Sequence, residues 1–278
     1  MFNQQSLIGY QPGDSFLHRL SGTSKLLFFL LVSISAMTSY DTRLLLFIGL
    51  GSLLLFGISG IKIRQVAFVL GLAVLFALLN LIMIYLFAPV YGVEIYGSKQ
   101  ILLAGFGTYN VTSQELFYLF NVLLKYFCTI PLALIFLLTT NPSQFASSLN
   151  QIGLSYKVAY SVSLTLRYIP DLQEEFYMIK MSQEARGLDL SKKASLVQRI
   201  KGNLQIVTPL IFSSLDRIET IATAMELRRF GKHKKRTWYT AQSFKQADWL
   251  VVSFALLIIG VTLLLFVVNA GRFYNPWK

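Results

Sequence analysis

The run VAFVLGLAVLFALLNLIMIYLF, Val66 to Phe87, carries no charged side chain along its whole length. A helix rising about 1.5 Å per residue crosses the roughly 30 Å hydrocarbon core of a bilayer in about 20 residues, so this run is long enough to span. Four further apolar stretches flank it: Leu26–Tyr40, Leu44–Ile61, Leu116–Leu138 and Trp249–Val268. The first is short and borrows neighbours such as Ser24. Its prefix carries only Arg19 and Lys25 as cations, against Asp14, which makes a poor signal-peptide leader and favours a retained span. Composition agrees. Mean hydropathy is +0.57, and 14% of residues are charged, where soluble domains average about a quarter. The reading is an all-α membrane protein with about five transmembrane helices and a long polar insertion before the last.

Charge orients the chain. Of 25 Lys and Arg residues, twenty fall on one side: Arg19 and Lys25, Lys62 and Arg64, and the cluster within residues 157–245. Arg43, Lys99, Arg272 and Lys278 fall on the other side, and Lys125 lies inside a span. Positive charge marks the cytoplasmic face, so the N-terminus and residues 139–247 face inward and the C-terminus outward. Three regions follow: 1–138 with an N-terminal elbow and four spans, 139–247 in the cytoplasm, and 248–278 with the last span.

The insertion opens at Thr139-Thr140-Asn141-Pro142-Ser143, a turn and helix-start signal predicting a short helix from Pro142 to Asn150. Val158 to Tyr168 is too short to span, and Pro170 is expected to open a new helix. Leu172, Phe176 and Ile179 form a stripe whose continuation reaches Gln183 and Arg186, with Gly187 favoured just past the helix end. A second helix carries Val197, Ile200, Leu204, Val207, Ile211, Leu215 and Ile218 at helical spacing, predicting one buried face from Leu196 to Arg229. Pro209 is expected to kink it and Gly231 to end it.

Each helix thus closes on an arginine, at Ala185-Arg186-Gly187 and Leu227-Arg228-Arg229. Cations are common at helix C-termini for electrostatic reasons alone. Their recurrence on two helices of one basic segment points instead to a docking surface. A guanidinium presents a rigid fork of donors that lysine lacks, and small Ala185 and Gly187 permit close approach.

These blocks resemble the transmembrane T component of energy-coupling factor (ECF) transporters, the family that includes the cobalt-importer permease. Gly9-Tyr10-Gln11-Pro12-Gly13-Asp14 through Leu20 is similar to its opening signature, and Thr139–Ser143 to its post-membrane turn. Leu166-Arg167-Tyr168-Ile169-Pro170 with Gln183–Gly187 resembles its central block, and Ala224–Phe230 its second arginine motif. The resemblance implies a non-catalytic energy-coupling subunit of a vitamin or metal-ion importer in the bacterial inner membrane. It implies two cytoplasmic ABC ATPases that dock at Ala185, Arg186, Gly187, Leu227, Arg228 and Arg229 and bind ATP and Mg, so that no cofactor belongs to this chain. It also implies a small hydrophobic membrane subunit that captures substrate. The family usually has a small residue where Arg229 stands, so either Arg228 or Arg229 is the docking arginine, with Arg228 favoured.

Asn121 and Lys125 lie one turn apart within a span. A cation at that depth marks either an interface to the capture subunit or an internal pairing with a carbonyl. Lys234-Lys235-Arg236 fits anionic headgroups, and Trp249 and Trp277 fit interfacial anchors. Lipid is an expected partner; nucleic acid is not. His18, His233 and Cys128 have no neighbours at metal-ligand spacing, and no nucleotide-binding G-x-x-x-x-G-K-[ST] loop or protease motif occurs. Two rivals remain: a conventional ABC permease, which needs polar residues lining several spans, and an intramembrane lipid-modifying enzyme, which needs a convergent polar cluster.

Overall fold

A computed structural model describes residues 10, 13–103, 105, 109–188, 196–233 and 237–277, with the side chains of Leu196 and Arg199 excepted. Parts of the opening signature and the Lys234-Lys235-Arg236 cluster lie outside the described residues. The elements in order are α1 (Phe16–Arg19), α2 (Gly22–Thr38), α3 (Thr42–Ile58), α4 (Ile63–Phe87), α5 (Tyr91–Tyr96), β1 (Ile101–Leu103) and β2 (Val111–Thr112), followed by α6 (Ser113–Thr139), α7 (Pro142–Gln151), α8 (Tyr156–Ala185), α9 (Leu196–Leu227) and α10 (Gln246–Val268). They divide into two compact units, Met1–Phe145 with Gln242–Lys278, and Ala146–Ala241.

The first unit is the membrane bundle. α4, α6 and α10 are long and apolar enough to cross a bilayer, while α2 and α3 are shorter apolar helices. This is an all-α membrane protein. Short polar side chains start its helices by taking orphan backbone donors. Ser21 accepts from Ser24 N, Asp41 from Arg43 N and Thr112 from Glu115 N. The Ser21 cap moves the first span four residues earlier than its apolar run. Burial pushes the Asp41 carboxyl upward, but hydrogen bonds from Arg43 and Asn269 outweigh it and hold the group below the ordinary carboxylate range.

α6 is the spine. It packs against α2, α3, α4 and α5, and α10 packs on α2. Val32, Leu45, Ile48, Cys128, Leu132 and Ile258 share one apolar cluster between these helices. Polar ties cross the same interfaces. Ser52 donates to Phe127 O at 3.0 Å and Cys128 to Leu45 O at 3.1 Å, joining α3 to α6. Two lysines tie α2 to α6 reciprocally. Lys25, near the start of α2, donates to Thr139 O at the end of α6 (2.7 Å), and Lys125 of α6 donates to Met37 O near the end of α2 (2.7 Å). Each amine meets a carbonyl that its own helix leaves unpaired at the C-terminus, where the dipole also favours a cation.

The connection after α4 is more ordered than its Gly- and Tyr-rich composition predicts, holding α5 and an antiparallel β1–β2 ladder. Trp277 packs its ring on Tyr96 and Phe117, both at 5.4 Å, within an aromatic cluster that includes Tyr40 and Phe273.

In the second unit two expectations are corrected. Pro170 does not open a helix: α8 runs unbroken from Tyr156 to Ala185 with Pro170 inside. One missing N–H removes one bond of the ladder, and the intact turns on both sides outweigh it. Nor is the α9 stripe buried within this chain. Val197 is 75% exposed, and Ile200, Leu215 and Ile218 are exposed with it. α8 packs along α9, and it does so at other positions. Glu175 accepts from Ser213 and from Arg217 (2.7 Å), and Tyr156 and Tyr160 pack on Phe230. These pairings run in opposite directions along the chain, so α8 and α9 are antiparallel.

Candidate functional site

Backbone geometry makes the two arginine motifs equivalent. α8 ends at Ala185, and Arg186 is its C-cap at φ −84°, ψ 7°. Gly187 then turns left-handed at φ +91°. Gly187 N donates to Glu184 O at 3.0 Å and Leu188 N to Gln183 O at 3.1 Å, the paired bonds of a Schellman end. α9 repeats this bond for bond. Arg229 N donates to Glu226 O at 2.8 Å, and Phe230 N to Met225 O at 2.9 Å. Arg228 therefore stands where Arg186 stands, and Arg229 occupies the place of Gly187.

The match carries strain on one side. Arg229 takes φ +54°, a left-handed conformation that L-residues seldom adopt. The helix turns here, ahead of Gly231, which the sequence marks as the terminator; Gly231, at φ +87°, lies within the following turn. Gly187→Ala should weaken the α8 end by about 1 kcal/mol, whereas Arg229→Gly should be neutral or stabilising at the α9 end. Amide hydrogen exchange of the last turn of each helix reads both effects. Equal protection in Gly187→Ala and the parent would contradict the need for glycine at this turn.

All six residues are solvent-exposed; Leu227 reaches 81%. Among the described residues, neither Arg186 nor Arg228 makes an ion pair within the chain. The antiparallel pairing sets the two ends far apart. Phe230, just past Arg228, lies beside Tyr156 at the start of α8, while Arg186 lies at its finish. Thirty residues of α8 separate these positions, or about 45 Å of helix. Two identical caps, each offering a guanidinium, thus stand at opposite ends of one helix pair.

Residues 13–239, which include both helix ends, match the family model described as cobalt transport protein (CbiQ). The chain belongs to the cobalt transport protein family. Within reach of this family are relatives named energy-coupling factor transporter transmembrane protein EcfT. The Lactococcus lactis protein is 26% identical over 272 residues, covering 94% of this chain and 98% of its own length. The Streptococcus thermophilus protein is 28% identical over 262 residues (91% and 95%), and that of Macrococcus caseolyticus 28% over 279 (95% and 98%).

In this cobalt transport family member, Asn121 and Lys125 are placed inside the bundle. Asn121 is fully buried, accepting from Thr42 at 2.7 Å and donating to Phe117 O at 3.1 Å. Lys125 donates to Met37 O and sits 3.2 Å from the Tyr40 ring centroid. Lys125 thus pairs with a carbonyl of its own chain. Asp248 escaped the sequence reading. It accepts from Ser21 N (2.8 Å), Ser24 Oγ (2.6 Å) and Lys245 N (2.8 Å), pinning the elbow to α10. Its signal was an acidic residue directly before the apolar run that opens at Trp249, three places past the cap residue Lys245. Among the described residues, no group of three His, Cys, Asp or Glu converges to hold a metal ion.

Proposed function

We propose that this chain is the energy-coupling transmembrane subunit of an ECF-type importer for a vitamin or metal ion in the bacterial cell membrane. Its N-terminus and both arginine-tipped helices face the cytoplasm. Two ABC ATPase subunits dock there, one at each helix end, and bind the ATP and Mg that drive the cycle; this chain catalyses nothing. A small hydrophobic membrane subunit captures the cargo and is reoriented by motion passed through α8 and α9.

The observation that carries this reading is the pair of equivalent caps about 45 Å apart. One groove cannot hold both, whereas two copies of a similar groove can. Charge supports the orientation, because the basic residues gather on the side of these helices. The exposed apolar stripe of α9 supports a membrane-embedded partner, since monomers rarely leave such a face uncovered. A substrate path through this chain finds less support: Thr42, Ser52, Asn121, Lys25 and Lys125 are all used in bonds between or within helices.

Affinity purification from the native membrane in mild detergent tests the assembly. Recovery of one or two P-loop ATPases with a small hydrophobic membrane protein is the expected result. Recovery of the chain alone, where a control transporter stays assembled, would end the coupling proposal. The same preparation assigns the second arginine. Arg228→Ala should lose one ATPase per complex, while Arg229→Gly should retain both; the reverse pattern would transfer the role to Arg229.

A further inference from the structure

The membrane unit contains an apolar cavity of about 340 Å³ at the end where α10 begins. Leu17 and Leu20 of the elbow close one side, Phe28 and Phe29 of α2 form the floor, and Leu250 and Phe254 of α10 form the far wall. The volume lies in the range of small-molecule sites. Lys25 is the one charged residue of the lining, and its amine is already bound to Thr139 O. Nothing in such a cavity would orient a polar solute.

It opens toward the bilayer. Phe16, Leu250 and Phe254 at its edge are 55%, 73% and 45% exposed. Its rim is basic. The two oxygens of Asp248 bring Ser21 N and Lys245 N to one carboxylate, each at 2.8 Å. Arg19, two residues before Ser21, and Lys245 thereby flank the same corner, and both are exposed. Asp248 is 1% exposed, its oxygens met by three donors. An apolar slot opening to lipid, with cations at its mouth, matches the two halves of one molecule.

We propose that this cavity is a site for an anionic phospholipid, one acyl chain filling the space behind the elbow and the phosphate headgroup held by Arg19 and Lys245. The site belongs to the first unit alone and does not depend on what docks at the arginine-tipped helix ends. Cationic pockets between membrane helices favour such headgroups.

The test uses the full chain in nanodiscs containing phosphatidylglycerol with a photoreactive group in its acyl chain, and adducts are mapped by mass spectrometry. Adducts should concentrate on Leu20, Phe28 and Phe29 relative to Phe68 and Leu75, exposed residues of α4. The phosphatidylcholine analogue, or Arg19→Ala with Lys245→Ala, should lower cavity labelling about 30-fold, the scale of two surface cations. Ala247→Trp, which fills the cavity, should abolish cavity adducts while those on α4 persist, showing that the bundle is intact. Labelling spread evenly over cavity and α4 in the unaltered chain would overturn the proposal. So would equal cavity labelling by the two lipids.

Discussion

Arg186→Glu combined with Arg228→Glu should abolish both ATPase recovery and substrate uptake while leaving the chain in the membrane at normal abundance. Both residues stand at helix ends, solvent-exposed and outside any ion pair among the described residues, so the fold should lose little. A partner groove that accepts a guanidinium would instead receive a carboxylate. Losing a central charge contact typically costs about 2–5 kcal/mol, and reversal adds repulsion, so each end should weaken by at least about 100-fold. Each single reversal should lose one ATPase and most of the uptake. Co-purification ratios and transport into proteoliposomes read the two effects separately. Intact association in the double variant would mean that the shared cap geometry is ordinary helix termination and nothing more.

Asp248→Ala carries the largest expected effect on stability. It strands Ser21 N and Lys245 N, while Ser24 Oγ keeps its second acceptor, Ser21 O at 2.9 Å. Each donor left without an acceptor costs about 1–3 kcal/mol, so a loss of about 2–6 kcal/mol is expected for the two. Asp248→Asn keeps one acceptor oxygen and should lose roughly half as much. Thermal unfolding in detergent, followed by helix signal, measures both. A melting point unchanged in Asp248→Ala would show that the elbow is held by its apolar contacts alone.

The spans were legible because hydrocarbon imposes one requirement, a run of apolar residues long enough to cross: three runs meet it as α4, α6 and α10, and two shorter ones mark α2 and α3, each within a few residues at its ends. Helix ends were legible where a small polar cap or a glycine marks them, as at Gly187. They were misread where geometry overrode the marker: Arg229, not Gly231, takes the left-handed turn of α9. Pro170 misled for a related reason, since a proline's local cost says nothing about the turns that surround it. The apolar stripe on α9 was correctly periodic, but the face it marks is exposed within this chain. Periodicity reports that a face will be covered and is silent about what covers it. Lys125 could not be decided from sequence, because its carbonyl partner at Met37 lies 88 positions away and leaves no local trace.

The Asp248 latch also bears on how the molecule is made. Its carboxylate lies 227 positions after Ser21 and 224 after Ser24. At roughly 5–20 residues per second, a ribosome needs about 10–45 s to deliver it after the elbow has emerged. Throughout that interval the elbow's donors and the face of α2 that receives α10 stand open in the membrane. The first span inserted is therefore among the last to be closed, and the bundle is sealed only when synthesis is nearly complete.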